Sequence, residues 1–142
     1  MEATGFRELP LSSPQNKYFQ LVANFQPDQA VINILSKSID LVLKSPGFTE
    51  RKVNKLTVFI TNSNSININY TNQNQYGSQF NAAVILYSRM AKLSDLQKLI
   101  CCVEEFVHHF WSERDEVETS KIVCTLIPEL TCNEKGEYSK GT

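Results

Sequence analysis

The sequence predicts an α+β fold, on three observations. A first amphipathic helix is signalled from Pro27, after which Val31, Ile34, Leu35, Ile39, Val42 and Leu43 recur at three- and four-residue steps. Three short runs of strand character follow, at Leu56–Ile60, Ile66–Tyr70 and Ala82–Ser88. A second, longer amphipathic helix then begins near Ser94. No repeat or linker divides residues 1–142, so a single domain is the economical organisation.

Taken in order, residues 1–26 are expected to be mixed and irregular in part, because Pro10 and Pro14 interrupt any long element. Within them Tyr18, Phe19, Leu21 and Val22 form an apolar group that docks on the body. Proline suits the first helical position, so Pro27 opens the first helix, and Asp28 lies where the N-terminal dipole favours negative charge. "SPGF" at Ser45–Phe48 ends it, since Pro46 restricts Ser45 and Gly47 releases the turn.

Among the strand candidates, Leu56–Ile60 is a continuous apolar run of buried type. Ile66, Ile68 and Tyr70 alternate with Asn67 and Asn69, which gives one apolar and one polar face. Ala82–Ser88 is apolar throughout, as in a strand covered on both faces. The Asn- and Gln-rich run between the last two has loop character.

Ser94 and Gln97 offer a capping box for the second long helix. At about 100° per residue, Leu96, Leu99, Ile100, Val103, Phe106, Val107 and Phe110 gather on one face, with Cys101, Glu104, Glu105, His108 and Ser112 opposite. After Trp111 the pattern restarts: "SERD" at Ser112–Asp115 offers a further capping box, and a last helix carries Val117, Ile122, Val123, Leu126 and Ile127 as far as Pro128. The polar tail, residues 131–142, is expected to fray.

With 142 residues the chain can bury roughly 68–70% of its unfolded surface, enough for one core. Its 42% hydrophobic and 20% charged content and net charge of −1 match neither a disordered chain nor a basic nucleic-acid binder, so no nucleic-acid partner is expected. The opening residues show no basic region followed by an apolar core, and no apolar run approaches the roughly 18–20 residues that span a bilayer. A cytoplasmic location with no membrane partner is therefore expected. Cys101, Cys102, Cys124 and Cys132 have no CxxC spacing and are expected to be reduced packing thiols, with a zinc site joining Cys124 or Cys132 to a histidine as the minor alternative.

The chemistry-bearing stretch is Glu104–Glu116, "EEFVHHFWSERDE". It resembles the H-E-x-x-H helix of zinc peptidases with the first histidine replaced by Glu104. In that motif two imidazoles one helical turn apart share a metal, and the intervening glutamate serves as base to a metal-bound water. By the same register Glu105 falls on the base position and His108 on the second ligand position. Glu104 takes the first, where a carboxylate can also ligate zinc. Asp115 or Glu116 is the nearest candidate for a third ligand. On a straight helix Asp115 would lie about 10 Å along the axis from His108, so a break at Ser112 is required. The family variant H-E-x-x-H-x-x-G-x-x-D uses glycine for that reversal, where this chain has Trp111, and Asp115 comes one residue late.

The order helix, strands, motif helix resembles the catalytic core of the zincin-like metallopeptidases over roughly residues 27 to 116. The resemblance implies a small twisted sheet of three to four strands, the motif helix packed on it, and a strand at Ala82–Ser88 beside which a peptide is laid by strand addition. It also implies zinc or another divalent ion as cofactor, held by Glu104, His108 and Asp115 or Glu116. Three functions compete: a non-catalytic zincin-like protein with a degenerate centre and no metal, which is favoured; an active metal-dependent hydrolase of peptide or amide bonds with Glu105 as base; and an unrelated α+β interaction protein whose acidic helix face is only solvated. The partner in each is a peptide or protein.

Overall fold

The computed structural model describes residues 5–51, 53–67 and 81–140. They form an α+β fold with a four-stranded mixed sheet, five α-helices and a separate two-stranded sheet. The chain divides into two compact units, Met1–Val31 with Asn54–Lys92, and Ile32–Val53 with Leu93–Thr142. None of the described helices is long and apolar enough to cross a membrane.

The first unit holds the four-stranded sheet, in the order β1 (Arg7–Leu9), β2 (Phe19–Ala23), β3 (Leu56–Thr61), β4 (Asn81–Leu86). β1 pairs antiparallel with β2, while β2, β3 and β4 run parallel in the registers Leu21↔Val58 and Val58↔Ala83. Parallel neighbours need a crossover between them, and helix α2 (Gln29–Leu43) lies in the connection from β2 to β3. All six residues of β3 are buried. Phe19, Phe59, Val58, Ile60 and Leu56 make this part of the core, and Phe6 meets Phe59 edge-on at 5.4 Å.

Two expectations are sharpened here. Of residues 1–26, expected to be irregular in part, the described ones hold short elements between irregular stretches: β1, the short helix α1 (Ser13–Asn16) and the buried strand β2. Pro14 does not block α1, because it sits in the first turn, where a missing N–H costs nothing, and Ser12 with Gln15 closes a capping box. Pro27 precedes α2 rather than opening it; Asp28 Oδ1 accepts from the Val31 N–H at 3.0 Å and caps the helix.

The strand expected at Ala82–Ser88 runs instead over Asn81–Leu86, and Tyr87 and Ser88 belong to the short helix α3 (Tyr87–Met90). Its burial alternates rather than being continuous, with Val84 40% exposed, because β4 is the last strand of the described sheet. Of the expected strand Ile66–Tyr70, residues 66 and 67 have no regular structure, and residues 68–70 lie outside the described residues.

The second unit contains α4 (Asp95–Phe110), α5 (Glu116–Leu126) and a hairpin of β5 (Leu130–Cys132) and β6 (Tyr138–Lys140). α4 begins at the predicted Ser94–Gln97 capping box. Leu99, Val103, Phe106, Val107 and Phe110 are its buried stripe, and Phe110 meets Phe48 at 5.2 Å. The expected fray of 131–142 is overturned through Lys140 by the hairpin, whose turn uses Gly136 at φ +80°.

Candidate functional site

α4 ends at Trp111, whose ring is covered by the Arg51 guanidinium at 4.3 Å from its centroid. Ser112 then takes a left-handed conformation, φ 52°, the only non-glycine residue with positive φ among those described. This turns the chain out of the helix, as the sequence requires for any return to His108. The predicted capping box from Ser112 does not form: the Asp115 N–H that it needs donates to Glu113 Oε1 at 3.1 Å. Asp115 is the cap of α5 instead: its φ −76° and ψ 125° are extended, and its Oδ1 accepts from the Glu118 N–H at 2.9 Å.

The break separates the two candidate third ligands. Glu116, the first residue of α5, brings Oε1 to 3.5 Å from His108 Nε2. Asp115 has its carboxylate committed to the cap, and its backbone carbonyl accepts from the Thr119 hydroxyl at 2.8 Å. Glu116 therefore meets the histidine and Asp115 orders the helix that delivers it.

His108 has its other ring nitrogen fixed from the same loop. Nδ1 lies 2.6 Å from the Glu113 carbonyl oxygen and 3.4 Å from Thr119 Oγ1. A carbonyl only accepts, and the Thr119 hydroxyl already donates to Asp115, so both neighbours require Nδ1 to carry the proton. In the neutral ring the Nε2 lone pair then faces the Glu116 carboxylate. A proton or a cation on Nε2 converts that opposition into attraction.

Glu104 is half-buried and accepts at Oε1 from the Tyr138 hydroxyl, 3.1 Å away on β6. Burial pushes its carboxyl above the ordinary range, and the neighbouring Glu116 and Glu105 charges push the same way; the Tyr138 hydrogen bond and His108 oppose them. Tyr138 is itself raised, chiefly by burial, while a hydrogen bond with Ser120 opposes the shift. Glu105, one position on, is exposed.

Of the sequence-predicted residues, Glu104, His108 and Glu116 are thus neighbours, while Asp115 and Glu105 are directed elsewhere in role or exposure. Among the described residues no group of three His, Cys, Asp or Glu side chains is arranged to hold a metal ion. Tyr138, Thr119 and the Glu113 carbonyl were not anticipated. Thr119 lies eleven residues from His108 and Tyr138 thirty-four from Glu104, beyond the reach of any short motif.

No protein-family model, curated protein or solved structure matches this chain.

Proposed function

We propose that this chain is a zincin-like protein that has lost metal chemistry and acts by binding a peptide or protein. The observation that carries the reading is the Tyr138 hydroxyl on Glu104 Oε1 at 3.1 Å. The residue in the first-ligand position is a carboxylate with a protein partner, where the motif has an imidazole with its lone pair free. Loss of one imidazole also removes much of the affinity on which such a site depends. For a peptide ligand the supporting feature is β4, the terminal strand of the described sheet, with the exposed Val84 on it.

A second reading is favoured by the His108 geometry. A histidine that ligates a metal almost always donates its other ring N–H to a carbonyl or carboxylate, as Nδ1 does to Glu113. Two ligands of a tetrahedral zinc at ordinary bond lengths stand about 3.4 Å apart, and His108 Nε2 and Glu116 Oε1 stand at 3.5 Å. In this reading His108 and Glu116 would hold a divalent ion that activates water, and Glu104 would have to leave Tyr138 to join them. Glu105 would accept the proton.

Metal analysis of protein purified without chelator separates the two, together with thermal melts in added zinc. The first reading expects no bound metal and an unshifted melting temperature for the natural chain, with a zinc-dependent rise appearing in Glu104→His. About one metal per chain, with a zinc-dependent rise abolished by His108→Ala, would establish the second. If Glu104→His gains no zinc response, the zincin-like layout itself is wrong and the chain is an unrelated α+β interaction protein.

A further inference from the structure

The β5–β6 hairpin lies along α5, and three contacts fix how. At the turn, a Cβ on Gly136 would stand 3.2 Å from the Val117 Cα and 3.3 Å from Ser120 Oγ, so the hairpin backbone approaches the first turns of α5 closely. Further along, the Tyr138 hydroxyl lies beside Ser120 and donates to Glu104. Cys132 is the direct cross-strand partner of Tyr138, and directly opposed residues of an antiparallel pair project to the same face. On the helix, Cys124 is one turn beyond Ser120 and shares its face. Tyr138 over Ser120 and Cys132 over Cys124 are therefore successive rungs along the packing of β5 on α5, and the two thiols are close enough to interact.

We propose that Cys124 and Cys132 are a disulfide-forming pair, a modification site at which a small-molecule disulfide such as glutathione disulfide staples the hairpin to α5. The other two thiols are placed differently. Cys102 is 1% exposed, and burial pushes its thiol up to about 12. Cys101 neighbours Cys102 in sequence but points about 100° away from it around the helix.

The exchange runs in two steps. The thiolate of one cysteine of the pair attacks one sulfur of glutathione disulfide, forms a mixed disulfide and releases one glutathione. The other cysteine then gives up its proton and attacks the sulfur of the first, forming the protein disulfide and releasing the second glutathione. Two protein thiols are oxidised and one glutathione disulfide is reduced to two thiols. The product holds Tyr138 against Ser120 and Glu104.

The test equilibrates the full chain in glutathione redox buffers, quenches with acid, alkylates the remaining thiols and maps the products by mass, in native buffer and in concentrated urea. The expected result is one internal disulfide, Cys124–Cys132, with an equilibrium constant against glutathione at least about ten-fold larger in the folded chain than in urea, because the fold pre-pays the approach of the two sulfurs. Cys101→Ser leaves that constant unchanged. Persistent glutathione adducts on either cysteine, a disulfide that includes Cys101 or Cys102, or equal constants in the two solvents would each overturn the proposal.

Discussion

Ser112 adopts φ 52°, a conformation that costs a residue with a Cβ roughly 1–2 kcal/mol and glycine little. Ser112→Gly is accordingly expected to stabilise the chain by about 0.5–1 kcal/mol, after the extra freedom of glycine in the unfolded chain is discounted. Urea denaturation read by circular dichroism measures this, and a loss of stability would mean that the serine side chain contributes at the break. Glu104 is the second informative residue. Its carboxyl is raised above the ordinary value of 4.5, first by burial, so the folded chain holds the proton more tightly than the unfolded one. The sign follows: stability is greatest below 4.5 and declines as the pH rises through the folded pKa. Glu104→Gln keeps an oxygen to accept from Tyr138 and removes the charge. It is expected to raise the melting temperature at pH 7 and to leave it nearly unchanged at pH 4. An equal rise at both would detach the effect from ionisation.

At the scale of elements, α5 and the hairpin are the parts whose making is most open to test. Asp115→Ala removes the carboxylate that satisfies the Glu118 N–H and is expected to cost about 1 kcal/mol. The same change would release the first residue of α5, so the His108–Glu116 approach at 3.5 Å should loosen, visible as altered His108 ring shifts in NMR spectra. Gly136→Ala puts a Cβ on a residue at φ +80° and 3.2 Å from backbone, with an expected loss of about 1–3 kcal/mol. Amide hydrogen exchange should place that loss first in β5 and β6. These elements also mark where sequence reasoning works. The Ser94–Gln97 box and the apolar stripe of α4 were legible because both depend on neighbours within one or two turns. β5 and β6, three residues each, were not: so short a strand has no period to detect, and its polar residues pair only across a turn. β2 was missed because its five residues are buried almost throughout, which hides the alternation that identifies a strand.

For the whole molecule, the two compact units are interleaved in the chain, each built from two separated segments. A cut at residue 92 keeps both segments of the first unit in one piece but separates the two segments of the second. The piece 93–142 lacks Leu35, Ile39, Val42 and Phe48, all 2% exposed or less, and with Phe48 it loses the ring that meets Phe110. That fragment is expected to show weak helical signal and no cooperative melt, whereas the full chain melts cooperatively. Phe106, at 0% exposure on α4, is the matching point substitution: Phe106→Ala should cost about 3–5 kcal/mol, measured by denaturant titration.

What the sequence by itself determined is the set of decisions made over short distances: the α+β class, the capped start of α4, its buried stripe, the buried run of β3, and the gathering of Glu104 and His108 on one side of a helix. Each follows from periodicity or from a side chain reaching a backbone group three residues away. Only the tertiary structure decided which acid returns to His108, that Asp115 is a cap, that Tyr138 occupies Glu104, and that the strand of Cys132 packs on the helix of Cys124. The reason is geometric. One left-handed residue at Ser112 and one tight turn at Gly136 set directions that all later residues inherit, and the partners they bring together are specified by where the chain returns rather than by any local pattern.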